Sequence, residues 1–212
     1  MAKEMIDIFD CNYNHIGIED KEEAHKKGAW HQSFHCWIVR PNGKIILQLR
    51  SKDKSTYPNT LDISGAGHLS AGEEPLDGIR ELEEELGLVV NPESLNYLGY
   101  YKQAVDIPTK NGIFYNREFS HTFLLLDDTP LDEYIMQDDE VDGVFEIDIK
   151  EGLKFFSDEI DNISISGIYR ENKENVTKSV GFESFTPRAK CMWVKVFIMA
   201  ERLLQGEKYL AV

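Results

Sequence analysis

The chain has 212 residues, a formal net charge of −15, and 42% hydrophobic against 29% charged residues. That length suits one domain with elaborations, and the apolar content is enough for a proper core. The negative balance argues against binding to long nucleic acid, whose phosphates demand a basic surface, and no apolar run approaches the ~20 residues of a membrane span.

The first ten residues, MAKEMIDIFD, carry charges where a secretory signal needs an apolar stretch, so a cytoplasmic location is expected. The cysteines Cys11, Cys36 and Cys191 are scattered without metal-ligand spacing and read as reduced thiols. Met5–Phe9 alternates weakly as an edge strand, and residues 12–17 read as a turn. Asp20-x-x-Glu23 resembles a capping box opening a short helix that Gly28 ends. Residues 34–40 and Lys44–Arg50 flank Pro41-Asn42-Gly43 as a β-hairpin. Residues 51–59 are a polar loop, and residues 61–64 a short strand.

Residues 67–88, GHLSAGEEPLDGIRELEEELGL, form a glycine-rich loop running into a helix. Glu81, Glu84 and Glu85 fall at i, i+3 and i+4, so three carboxylates share one side of it. Ile79, Leu82, Leu86 and Val89 supply an apolar stripe, and Gly87 suits a left-handed C-cap. Three like charges within one turn repel and weaken a bare helix. A cation held among them reverses that sign, and oxygen-only ligands select a hard ion such as Mg²⁺ or Mn²⁺.

Further along, residues 95–104 and 114–126 read as strands joined by a turn at Lys110-Asn111-Gly112. The acidic Asp138-Asp139-Glu140 loop precedes a strand at 143–147, and a helix is expected over 150–156. Residues 162–187 are polar and give no clear pattern, whereas Met192, Val196, Met199 and Leu203 define an amphipathic helix over 190–205. Periodicity alone gives mixed α and β.

Gly67, Glu73 and the run Arg80-Glu81-Leu82-x-Glu84-Glu85-x-Gly87-Leu88 resemble the Nudix box, G-x5-E-x7-R-E-U-x-E-E-x-G-U, where U is a bulky aliphatic. One spacing departs: six residues separate Glu73 from Arg80 where the box has seven, which leaves the role of Glu73 open. The resemblance implies an α/β (α+β) fold, a Nudix-type α/β/α sandwich with a mixed β-sheet. The whole chain, 1–212, is then a single domain with its core at about 30–156, an N-terminal strand and helix, and a C-terminal helical extension. It further implies a metal-dependent hydrolase cleaving the diphosphate linkage of a nucleoside diphosphate-X substrate, with Mg²⁺ or Mn²⁺ as cofactor. Glu81, Glu84 and Glu85 would ligate the metal, with a backbone carbonyl from Ala66 or Gly67. Arg80 would steady Glu84 by an ion pair, and Glu81 or Glu84 would serve as the base. The expected partner is a small phosphorylated molecule, a nucleotide; dimers are common in the family, which makes a homodimer an admissible assembly.

A second resemblance covers the N-terminal half. His25, Trp30-His31-Gln32-Ser33-Phe34, Pro58-Asn59-Thr60 and Gly67-His68 look like type 1 isopentenyl-diphosphate isomerases, which hold one metal with three histidines and two glutamates. His25, His31 and His68 sit near the histidine positions and Glu118 matches one glutamate, while Asn116 stands at the other. Ala66 stands where that family has its catalytic cysteine, and a methyl group can neither give nor take a proton. An isomerase and a non-catalytic nucleotide-binding protein are the alternatives. Glu118, in an apolar strand, faces either solvent or a metal. Glu140 either completes the metal shell or is exposed, and Arg50, Lys52 and Lys54 either hold a terminal phosphate or are solvated, with exposed loop charges the first reading for all four. Trp30, Phe34, Trp37, Tyr57 and Tyr115 read first as core.

Overall fold

The computed structural model describes residues 3–109 and 112–212. In chain order its elements are β1 (Met5–Phe9), β2 (His15–Asp20), α1 (Lys21–Lys27), β3 (Trp30–Arg40), β4 (Lys44–Arg50), β5 (Leu61–Asp62), β6 (Gly65–His68), α2 (Arg80–Leu86) and β7 (Leu95–Thr109). There follow β8 (Gly112–Leu126), β9 (Val141–Asp148), α3 (Ile149–Phe156), β10 (Ile163–Tyr169), β11 (Asn175–Val180) and α4 (Lys190–Leu204).

One sheet carries all of the strands, in the order β11-β10-β9-β4-β3-β1-β2, with β5 on β4, β6 on β3, and the β7–β8 hairpin joined to β3 through β8. Every pairing is antiparallel except β3 with β8, so the sheet is mixed. β3 has almost no solvent face, and its side chains alternate between two cores. Trp37 and Val39 join Ile45, Leu47 and the residues of α3 and α4 on one face. Phe34, Cys36 and Ile38 join Ile46, Leu82 and Leu86 on the other. This is helix, sheet, helix, as expected. The first core is closed by aromatic rings: Trp193 stacks on Phe156 at 4.6 Å and meets Trp37 edge-on at 5.0 Å.

Most local expectations hold. Asp20 caps α1 by accepting from the Glu23 amide at 3.2 Å, and Gly28 ends it at φ 67°. Residues Lys110 and Asn111 of the expected turn lie outside the described residues, although Thr109 and Gly112 pair across it. Three readings need correction. The turn at 12–17 is shorter, because Asp10 accepts from the amides of Asn12 and Asn14 and lets β2 begin at His15. Val89 leaves the apolar stripe and is exposed, because Gly87 enters the left-handed region at φ 68° and stops α2 at Leu86. The unpatterned segment 162–187 contains a hairpin, β10 with β11. Its signal was present in the alternation of Ile163 and Ile165 with Ser164 and Ser166. Among the described residues no helix is long and apolar enough to cross a membrane.

On β8, His121 is buried and its ring nitrogens meet the Tyr13 hydroxyl at 2.9 Å and the Tyr97 hydroxyl at 2.8 Å. Burial pushes its pKa down to about 4, below the ~6.5 of an unfolded chain. The unfolded state therefore binds the proton first. The stabilisation is complete above pH ~6.5 and is lost as pH falls toward about 4. Denaturant midpoints are expected to drop across that interval, and His121→Gln to flatten part of the drop; an unchanged slope would count against this account.

Candidate functional site

α2 lies against β6 so closely that a Cβ on Gly67 would overlap the carboxylate of Glu81. The bare backbone there is what lets a charged side chain settle on the strand. Glu85 is 6% exposed, and its Oε2 accepts from the Ala66 amide and from Gln48 Nε2, each at 3.2 Å. Burial, then the charge of Glu81, pushes the Glu85 carboxyl up to about 8. Burial raises Glu81 as well, against the pull of Arg80. Glu84 stands at the mouth, its side chain 54% exposed. The three carboxylates share a flank but not an environment.

Arg80 organises this flank. Its Nη1 donates to Glu81 Oε1 at 2.6 Å and to Glu84 Oε2 at 3.3 Å. Its Nε and Nη2 donate to the two oxygens of Glu73 at 3.1 and 3.3 Å, and Nη2 also to the His68 carbonyl at 3.0 Å. Glu73 is thereby the anchor of Arg80, which answers the question left by the shortened spacing. The turn that accommodates that spacing is a 3-10 helix, Pro75–Ile79. A 3-10 turn covers more length per residue than an α-turn, ~2.0 against ~1.5 Å.

Beside these acids, His25, His31 and His68 bring one ring nitrogen each to within 4.8 Å of one another. His25 Nδ1 meets the Tyr115 carbonyl at 3.1 Å and His31 Nδ1 the Ala29 carbonyl at 3.0 Å. A nitrogen facing a carbonyl must carry the proton, so both Nε2 atoms present lone pairs. His25 Nε2 lies 3.1 Å from His68 Nε2, and Glu118 Oε1 lies 4.0 and 3.9 Å from Nε2 of His31 and His68. Burial pushes all three imidazoles toward the neutral form. Glu118 is held down at about 2: burial opposes its ionisation, and at that acidity the protonated imidazoles of His35, His68 and His31, with Arg188, overcome it. His31 Nε2 and Asn116 Oδ1 are buried with no hydrogen-bond partner. Glu118 thus points inward toward the histidines.

Both groups open on one cleft of about 650 Å³. Arg50, Lys54 and Glu140 line it, where the sequence favoured exposed loop charges; Lys52 is exposed. Lys54 pairs with Glu140. Tyr57 also lines the cleft, whereas Phe34 and Trp37 are fully buried core. Trp30 carries the Lys102 ammonium 4.5 Å above its ring. Two further lining residues, Asp62 and Arg188, were not singled out from the sequence, since Arg188 follows directly on the segment without pattern.

Three acids of differing exposure beside a glycine backbone suit a hard divalent cation, and three imidazoles with a carboxylate suit a transition ion. Residues 29–162 match the NUDIX domain family. The chain is 36% identical over 206 residues to an uncharacterised Nudix hydrolase of Clostridium acetobutylicum, covering 94% of this chain and 98% of that one. It is 31% identical over 151 residues to isopentenyl-diphosphate Delta-isomerase 1 of Photorhabdus laumondii, covering 70% and 81%. Its fold is similar to the crystal structure of a Deinococcus radiodurans protein at TM-score 0.54 and 19% identity, over 73% of this chain and 90% of the other. The chain belongs to the Nudix hydrolase superfamily.

Gly67→Ala is expected to force the Glu81 carboxylate off the strand, at the ~1–3 kcal/mol typical of overpacking. The reading is a melting temperature several degrees lower with unchanged circular dichroism; an unaltered melting temperature would show that the flank has more room than described.

Proposed function

We propose that this protein is a metal-dependent hydrolase that cleaves the diphosphate linkage of a nucleoside diphosphate-X type substrate. The observation that carries this reading is the carboxylate flank itself: Glu81 against the bare backbone of Gly67, Glu85 on the Ala66 amide, and Glu84 at the mouth, tied to Glu81 through Arg80. These residues, with a carbonyl of Ala66 or Gly67, would hold Mg²⁺ or Mn²⁺. When bound, such an ion neutralises phosphate oxygens and acidifies water. Glu85 needs that neighbour, since alone its burial favours the protonated form. Arg80 fixes Glu81 and Glu84 relative to each other, and Glu84, the accessible carboxylate, is suited to orient water and accept its proton.

The test is a screen of nucleotide diphosphate compounds with Mg²⁺, read by release of phosphate or nucleotide. Glu84→Gln and Glu85→Gln are each expected to lower turnover by at least a hundredfold while leaving the fold intact. Wild-type turnover in either would defeat its assigned role.

A second ion is supported by a separate observation, the unpartnered Nε2 of His31 facing His25, His68 and Glu118. Glu118 belongs to this group rather than to the carboxylate flank. The protein is expected to purify with close to one equivalent of Mn²⁺, Fe²⁺ or Zn²⁺, and His31→Gln to lose it; elemental analysis finding no ion in the wild type would remove the second centre. The histidines alone also fit an isomerase. Ala66, half-buried beside them, supplies no acid for carbon chemistry. Formation of an isomeric product from isopentenyl diphosphate would reverse that judgement.

A further inference from the structure

Most cations of the cleft are spent on acids. Lys21 pairs with Glu4, Lys54 with Glu140, and Arg80 with Glu73, Glu81 and Glu84. The wall built by β4, β5 and the segment before α4 differs. There two guanidiniums share one carboxylate. Arg188 Nε and Nη2 donate to the two oxygens of Asp62 at 2.9 and 3.3 Å, and Arg50 Nη1 lies 3.5 Å from Asp62 Oδ2. The flanking arginines hold Asp62 ionised against its own burial. Within this trio one positive charge is left over, although the field of Arg188 also reaches the buried Glu118 carboxylate, with which it makes no ion pair.

The surplus belongs to Arg188. Arg50 also donates to the Thr56 and Tyr57 carbonyls at 2.9 and 3.2 Å. Arg188 Nη1 has no hydrogen-bond partner among the described residues, although its side chain is only 10% exposed and lines the cleft. A guanidinium desolvated to that degree is strengthened as an anion ligand. Its position is fixed by the chain around it. Phe185 bridges to Leu61, the Thr186 amide donates to the Leu61 carbonyl at 2.8 Å, and the Thr60 and Thr186 hydroxyls lie 3.0 Å apart. This segment lies beyond the stretch that matches the NUDIX domain.

We infer that Arg188 receives an anionic oxygen of the substrate's second phosphoryl group, so that the C-terminal segment takes part in choosing which diphosphate is bound. This rests on the hydrolase reading for the presence of a diphosphate, but its test does not require turnover. Binding of inorganic pyrophosphate with Mg²⁺ is measured by calorimetry in four proteins: wild type, Arg188→Lys, Arg188→Gln, and the double variant Asp62→Asn with Arg188→Gln. The double variant avoids a buried unpaired carboxylate and keeps one surplus charge, on Arg50, so it separates a specific contact from neutralisation of Asp62. Arg188→Gln and the double variant are expected to raise Kd at least tenfold, with Arg188→Lys between them and wild type. A double variant with wild-type Kd would show that Arg188 only balances Asp62, and would overturn the inference alone. A wild type that binds no pyrophosphate would overturn it, while the turnover screen separately decides the hydrolase reading. A wild type that binds it while hydrolysing no diphosphate compound, with the double variant weakened, would leave the role of Arg188 standing and remove the hydrolase reading.

Discussion

Two carboxylates, Glu81 and Glu85, are held side by side in a space where burial disfavours the charge of each, and the other features of the site follow from that crowding. Like charges at i, i+4 on a helix cost stability, and desolvation raises the cost. The fold offsets it locally. Gly67 removes the side chain that would exclude Glu81, the Ala66 amide and Gln48 solvate Glu85, and Arg80 bridges Glu81, Glu84 and Glu73. For the strand to present that backbone, β6 must pair with β3; for the helix to reach it, Leu82 and Leu86 must sink into the core beside Phe34.

The same strand pairings assemble the imidazoles. Parallel pairing sets His31 of β3 directly beside Glu118 of β8, and antiparallel pairing sets His68 of β6 beside Ser33 of β3. α1, capped at both ends by its own sequence, then delivers His25. Residues far apart in the chain meet because β3 is the strand that four others touch. A set of hard oxygen donors and a set of neutral nitrogens thus face one cavity, two coordination chemistries with different ion preferences.

What could be read from the sequence was whatever is encoded locally. The spacing of Glu81, Glu84 and Glu85, the Asp20 and Gly28 caps, and the run KIILQLR each carry their structure in a few neighbouring residues. The partners of those residues are another matter. Nothing near Glu73 in sequence says that it anchors Arg80, because that depends on a 3-10 turn folding the loop back. Glu118 could be placed on a strand but not on a face, since strand position says nothing of which layer lies above it. Arg188 was invisible for a plainer reason: its meaning comes from Asp62, 126 positions away.

The closure of the first core has a consequence for how such a chain can diversify. α4 and the strap before it contribute Trp193, Phe197 and Phe185 to the hydrophobic interior, and the same strap carries the guanidinium that grips Asp62. Thermal robustness and the electrostatics of the cavity are therefore written into one stretch of polypeptide. A lineage that exchanged or shed this tail would change the charge of the cavity wall in the act of altering its stability, while the box around α2 stayed untouched.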